Sequence, residues 1–135
     1  MRQKLLSIFA AILAFSLPLA GQQPDKQPTP EELAAKEAER LESLLSLEPW
    51  QVFYVDSTLQ HDYLAMQQEI MDLQKAKVEN YDLYVFVRDK WMEQIDRTYQ
   101  KHFTPEQWAK YLKSGAARAQ KARDKRKAKA EGKKK

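Results

Sequence analysis

The sequence contains no cysteine and only three glycines and six prolines among its 135 residues. Without cysteine the chain can form neither disulfides nor thiolate metal sites, and we expect no lipoprotein anchor because such an anchor needs a cysteine. Three glycines are too few for a glycine-rich loop that binds phosphate groups. The prolines lie near the N-terminus or inside two short motifs, so the long segments between them contain no helix breakers and predict helix.

The first residues have the layout of a secretory signal peptide. Arg2 and Lys4 precede an apolar run, Leu5 to Leu17, which is shorter than the about 20 apolar residues that span a bilayer. We predict that residues 1–21 form the signal peptide and that residues 22–29 form a polar, proline-rich linker. The protein is therefore expected in the periplasm or outside the cell after cleavage. The alternative is that the apolar run forms a buried N-terminal helix.

Charge is distributed unevenly along the chain. The formal net charge is +4, yet residues 116–135 alone hold ten lysines and arginines against two acidic residues, so the middle of the chain is acidic. This basic tail has no apolar residue larger than alanine, which predicts either disorder or a fraying extension of the last helix. We expect it to be solvated or to contact anionic envelope polymers or lipid headgroups. Nucleic acid is not the expected partner, because the tail lacks aromatic residues and the rest of the chain is acidic.

Two short motifs, LEPWQ and FTPEQ, share one design. Each has an apolar residue, a capping position, a proline suited to the first helical position, and a glutamine three residues after the cap. The defining residues are Leu47, Glu48 and Gln51 in the first motif and Phe103, Thr104 and Gln107 in the second. Thr104 and Gln107 can cap each other reciprocally, whereas Glu48 is a poorer cap. The motifs predict two helix starts, and each cap contributes about 0.5–2 kcal/mol.

Apolar residues between the motifs recur every three or four positions in two runs that are out of phase. They predict helices at 49–77 and 81–102, with Asn80 as a turn or cap residue; one continuous helix through Asn80 is the alternative. A shorter helix is predicted from residue 30, capped by Thr29, and another from Pro105 that ends near residue 115.

The predicted fold class is all-α. The domain, residues 30–115, is expected to be a long antiparallel helical hairpin with short flanking helices and the basic C-terminal tail. Because the second helix returns along the first, Gln51 and Gln107 are expected to meet at one pole.

No residues suggest catalysis or a cofactor site, so the sequence predicts a protein that is not an enzyme. His61 and His102 are too isolated for a metal site without cysteine, and Ser57 and Thr58 have no visible catalytic partners beyond His61.

Several apolar residues lie off the predicted core stripes, and they form the candidate protein-binding surface: Phe53, Tyr54, Val85, Phe86 and Met92. They either form a thick core under the flanking helices or offer a surface for partner proteins or for a homodimer.

The arrangement resembles the Spy/CpxP group of bacterial periplasmic proteins, which carries two Leu-Thr-x-x-Gln motifs. FTPEQ, residues 103–107, has Phe in the Leu position, and LEPWQ, residues 47–51, has Glu48 in the Thr position. The resemblance covers about residues 45–113. It implies a cradle-shaped helical dimer that binds unfolded proteins without ATP or senses envelope stress. The group combines apolar and basic residues on its concave face, whereas here the positive charge lies mostly in the tail.

Overall fold

The structure is a computed structural model that describes residues 26–133. This range is all-helical and contains no strand. The predicted signal peptide, residues 1–21, and the start of the predicted linker lie outside the described residues. The helices are α1 (Pro30–Leu45), α2 (Pro49–Lys75), α3 (Tyr81–His102), α4 (Pro105–Tyr111), a π-helical segment (Leu112–Ala116) and α5 (Ala117–Lys133).

Capping residues start the helices at the predicted positions. The Thr29 hydroxyl accepts the backbone N–H of Glu32 at 3.2 Å, and the Glu32 carboxylate accepts that of Thr29 at 3.0 Å, so α1 begins with a reciprocal capping box. At the start of α3 the side chain of Asn80 accepts the backbone N–H of Asp82. The alternative of one continuous helix through Asn80 is wrong, because α2 ends at Lys75 and α3 begins at Tyr81.

Contacts along α2 and α3 show how the two long helices lie together. Near one end the Lys90 ammonium bonds the Glu69 carboxylate at 2.6 Å. Further along, the Gln94 amide lies 3.4 Å from the Asp62 carboxylate. Partner numbers therefore fall along α2 as they rise along α3. Glu69 and Asp62 lie seven residues apart on α2, which is about 10 Å along its axis.

The buried apolar residues form two clusters. The larger lies where α1 crosses the first half of α2 and the second half of α3, and it includes the apolar residue of each capping motif. It consists of Ala34, Ala38, Leu41, Leu45, Leu47, Val55, Leu59, Ile95, Tyr99, Phe103 and Tyr111. The smaller lies between the other ends of α2 and α3 and consists of Ile70, Tyr84 and Val87. Burial of a leucine, isoleucine, valine or phenylalanine side chain contributes about 1.5–3 kcal/mol.

Helix α4 starts at Pro105 and ends at Tyr111, and the chain bends in the segment that follows, where Gly115 has φ +118° and ψ −14°. The helix is therefore interrupted near residue 115, at a glycine with the expected positive φ. A separate helix, α5, follows over residues 117–133 of the basic tail.

Candidate functional site: the glutamine junction and two exposed faces

The two motif glutamines meet where the starts of α2 and α4 come together. Gln51 donates from Nε2 to Gln107 Oε1 at 2.6 Å, and Gln107 donates from Nε2 to Gln51 Oε1 at 3.1 Å. Each Oε1 also accepts the backbone N–H of its own cap, Glu48 at 2.8 Å and Thr104 at 2.9 Å. The prediction that these glutamines are neighbours is confirmed.

The remaining amide hydrogens of the pair reach the ends of two other helices. Gln51 Nε2 donates to the carbonyl of His102, the last residue of α3, at 2.9 Å. Gln107 Nε2 lies 3.4 Å from the carbonyl of Leu45, the last residue of α1. Carbonyls at helix ends lack partners within their own helix. The junction therefore ties two helix starts to two helix ends, and because Gln51 is only 1% exposed, its role is structural.

The candidate protein-binding residues do not form one surface. Phe53, Tyr54 and Phe86 are exposed, whereas Val85 and Met92 are half-buried and Met92 packs against the main core. Phe53 lies in the first turns of α2. Phe86 lies one turn before the Lys90–Glu69 contact, which places it beside the last turns of α2, about 30 Å from Phe53 along the helix.

An exposed apolar stripe runs along the outer side of α2. It consists of Trp50, Phe53, Leu64 and Met71, which are between 37% and 68% exposed. Separations of three, eleven and seven residues correspond to about one, three and two helical turns, so the four side chains share one face. The buried residues Val55, Leu59 and Ile70 lie on the opposite face. We call these four exposed residues the α2 stripe.

The two histidines lie at separate places and have different neighbours. His61 is exposed on α2, and its Nδ1 lies 2.8 Å from the Asp62 carboxylate. His102 stacks on Tyr54 with ring centroids 4.5 Å apart, and its Nδ1 contacts the backbone carbonyl of Thr98. Within residues 26–133 no group of three or more His, Asp or Glu side chains is arranged to hold a metal ion.

Asp96 is a buried carboxylate that receives three side chains from the C-terminal part of the chain. The Tyr111 hydroxyl donates to it at 2.6 Å, the Gln120 amide donates at 3.0 Å, and the Arg123 guanidinium forms an ion pair with it. Burial and the neighbouring Asp96 carboxylate raise the pKa of Tyr111. One turn further, Arg126 contacts both carboxylate oxygens of Asp89 at 2.6 and 2.9 Å.

These contacts were not predicted from the sequence. The signal that could have found them is the spacing of Gln120, Arg123 and Arg126, which puts three hydrogen-bond donors on one side of a helix. A shallow cleft beside Asp96 is lined by side chains of α3, α4 and α5, among them Glu93, Arg97 and Trp108. Within the cleft, Arg97 pairs with Glu93 of its own helix, and Arg123 of α5 pairs with Asp96 of α3, so the second pair docks α5 on α3.

No family model, curated protein or solved structure matches this chain. Within residues 26–133, no helix combines the length and the apolar character needed to cross a bilayer.

Proposed function

We propose that this chain is an exported, non-enzymatic helical protein that holds unfolded or partner polypeptides on the α2 stripe. Such a role needs no ATP and agrees with the resemblance of the two capping motifs to those of the Spy/CpxP group. The scaffold is then a long antiparallel hairpin of α2 and α3, with the shorter helices at its flanks and a basic tail at its C-terminus. Association of two copies would widen the surface.

The observation that carries the proposal is the exposure of the α2 stripe. Phe53 is 68% exposed and Leu64 is 52% exposed, although both lie on a helix whose opposite side is fully packed. The fold has no need of large apolar residues at these positions, because the core is complete without them. Exposed apolar surface of this kind is typical of sites that bind apolar segments of other proteins.

The chemistry of the stripe favours flexible partners. Its side chains are an indole, a phenyl ring, a leucine and a methionine, which can pack against many apolar shapes. The indole N–H of Trp50 is the one hydrogen-bond donor among these four side chains. Of the charged residues of α2, only Lys75, one turn beyond Met71 at the end of the helix, lies on the same face, and Asp56, Asp62, Glu69 and Asp72 lie off it. Binding should therefore depend mainly on apolar contact and should persist in high salt, whereas contacts between exposed charges weaken.

The test is an aggregation assay with a chemically denatured client enzyme diluted into buffer at low and at high salt. We expect the wild-type protein in molar excess to suppress light scattering by the client at both salt concentrations. The variant F53Q/L64Q should suppress it several-fold less. Because both side chains are exposed, the variant should keep the wild-type free energy of unfolding to within about 0.5 kcal/mol.

The matched comparison is L83Q/F86Q, which makes the same type of change at two exposed positions of α3. It should leave client protection intact. If wild-type protein leaves aggregation unchanged at both salt concentrations, the holding function is excluded. If L83Q/F86Q loses protection while F53Q/L64Q keeps it, the site lies on α3 instead. If F53Q/L64Q protects the client normally but is a monomer where wild type is a dimer, as measured by the mass from light scattering, the stripe is a self-association surface.

A further inference from the structure

Helix α5 has two faces with different surroundings. On its inner face, Gln120, Arg123 and Arg126 reach the carboxylates of Asp96 and Asp89 on α3. The side chains of the Arg123–Asp96 pair are 11% and 9% exposed, so this pair is largely removed from water. Such pairs hold strongly once formed, since breaking one leaves a buried charge without a partner. The inner face therefore fixes α5 against the acidic side of α3.

The outer face of α5 carries a row of five cations, which we call the basic row. It consists of Arg118, Lys121, Lys125, Lys129 and Lys133. They follow one another at intervals of three or four residues, so they lie along one side of the helix over about 22 Å. All five are exposed, and none forms an ion pair with another residue in the range 26–133.

The basic row is unfavourable for the isolated chain. Like charges three or four residues apart on a helix repel each other and destabilise it. The two acidic residues of α5, Asp124 and Glu131, lie on other sides of the helix and do not separate the cations of the row. A solvated helix usually alternates positive and negative charges along a face. The arrangement is instead suited to an external partner that supplies the negative charge.

We propose that the basic row is a docking face for the anionic lipid headgroups of a bilayer. The inner face holds α5 as a straight helix, which presents the five cations to one flat surface. The uncharged residues of α5 are alanine, glutamine and glycine, so the helix has nothing large and apolar to insert and would lie on the headgroups. Arg123 and Arg126 neutralise the nearest carboxylates, which reduces repulsion between the body and the membrane. This docking face is separate from the α2 stripe and adds a surface-binding role to the proposed function.

A membrane surface fits the row better than nucleic acid does. A helix that enters the major groove of a duplex has phosphates on both sides, so acidic surface beside the helix is repelled. Here the part of the chain that precedes α5 is acidic, and α5 packs beside the carboxylates of Asp89 and Asp96. Helix α5 also contains no aromatic side chain on which a base could stack. A planar surface needs only the one exposed side that α5 offers.

The test measures co-sedimentation of the full chain with vesicles of phosphatidylcholine containing one third phosphatidylglycerol, at 50 and 300 mM salt. We expect binding at low salt that falls steeply at high salt. The variant K121Q/K125Q/K129Q should bind about 100-fold more weakly at low salt, because each cation near an anionic surface contributes separately. Glutamine is as good a helix former as lysine, so helicity measured by circular dichroism should be unchanged.

The matched control is K36Q/K75Q/K101Q, which has the same net charge and removes three exposed lysines elsewhere that form no ion pair within residues 26–133. It should reduce vesicle binding by no more than about three-fold, since distant charges are screened. An arginine version of the first triple variant should bind like wild type. All variants keep the same N-terminus, and vesicles of phosphatidylcholine alone measure any apolar contribution from it.

Three results would overturn the proposal. An equal loss of binding in the two triple glutamine variants would show that net charge alone is responsible. No binding by the wild-type protein at 50 mM salt would show that the row is merely solvated. Tighter binding to a 20-base-pair DNA duplex, measured by fluorescence anisotropy at the same salt concentration, would identify a nucleic-acid surface instead.

Discussion

The side-chain amides of Gln51 and Gln107, 56 positions apart in the sequence, hydrogen-bond each other in both directions, at 2.6 and 3.1 Å. Each glutamine also completes the cap of its own helix. A capping box usually acts within one helix and stabilises only its first turn. Here the same side chains also join two helix starts, so the caps help to fix the relative positions of distant parts of the chain. The motif is therefore a tertiary contact as well as a cap.

Alanine variants of the pair should show this coupling. Q51A should lower the free energy of unfolding by about 2–4 kcal/mol, because it leaves the Gln107 amide and the His102 carbonyl without a buried partner. Q107A should cost somewhat less, since Gln107 is only half-buried. The double variant should lower the free energy of unfolding by about 1–2 kcal/mol less than the sum of the two single effects, because the two residues are in contact. Urea unfolding of the four proteins gives these values.

Q68A is the control for loss of a glutamine. The Gln68 side chain is exposed, and its one hydrogen bond among the described residues goes to Asp72, one turn away on the same helix. It should change the free energy of unfolding by less than about 0.5 kcal/mol. Additive effects of Q51A and Q107A would contradict the coupling and would leave each glutamine as a simple cap.

The bend at Gly115 should depend on glycine. With φ +118°, an alanine at this position is strained even though nothing lies within 4 Å of the added Cβ atom. G115A should therefore destabilise the protein by about 1–3 kcal/mol or straighten the helix and release α5. G132A is the matched control, because Gly132 is helical and equally open, and it should stabilise α5 by up to about 1 kcal/mol. Thermal unfolding followed by circular dichroism separates the two, and equal effects would exclude backbone strain at Gly115.

The ion pair between Arg123 and Asp96 should hold α5 in place. R123Q should increase amide hydrogen exchange across residues 117–133 by at least ten-fold, because the buried carboxylate loses its charged partner. R118Q removes an exposed arginine of the same helix that has no ion-pair partner among the described residues, and it should leave exchange nearly unchanged. Mass spectrometry of peptides from α5 measures both. Similar exchange in the two variants would mean that the helix is held by its own propensity and not by docking.

The helix starts could be predicted from the sequence because their signals are local. Thr29 and Thr104 are followed three residues later by Glu32 and Gln107, and a cap needs no information from distant residues. The pairing of Gln51 with Gln107 could also be predicted, since the lengths of the two long helices bring the second motif back to the first. These are geometric consequences of spacing along the chain.

The docking of α5 could not be predicted in the same way. An arginine gives no indication of which carboxylate it will meet, and the partner of Arg123 depends on the bend at Gly115 and on how α3 is rotated. The sequence also could not predict which of the off-stripe apolar residues are exposed and which are half-buried. Met92 and Phe86 both lie off the regularly spaced apolar positions of α3. Only the position of the neighbouring helices makes Met92 half-buried and Phe86 exposed.

Buried tyrosines should make the fold sensitive to alkaline pH. Burial raises the pKa of Tyr99 well above its usual value of 10.0, and burial with the nearby Asp96 raises that of Tyr111. Below pH about 10 both phenols are neutral in the folded and unfolded states. Above it only the unfolded chain ionises, so stability falls by about 1.4 kcal/mol per pH unit for each such tyrosine. Urea midpoints measured at pH 8, 10 and 11 would follow this loss.

Phenylalanine variants separate the contribution of each tyrosine. The Tyr99 hydroxyl has no hydrogen-bond partner within the described part of the chain, so Y99F should keep or slightly raise stability at pH 8 and should lose less between pH 10 and 11 than wild type does. Y111F should show the same shallower alkaline loss, but it should be less stable at pH 8 by about 1–3 kcal/mol, because it removes the donor to Asp96. Comparison with wild type at each pH cancels the ionisation of lysines, which all three proteins share. If Y99F loses stability between pH 10 and 11 as steeply as wild type, then Tyr99 ionises in the folded protein and is not held neutral by burial.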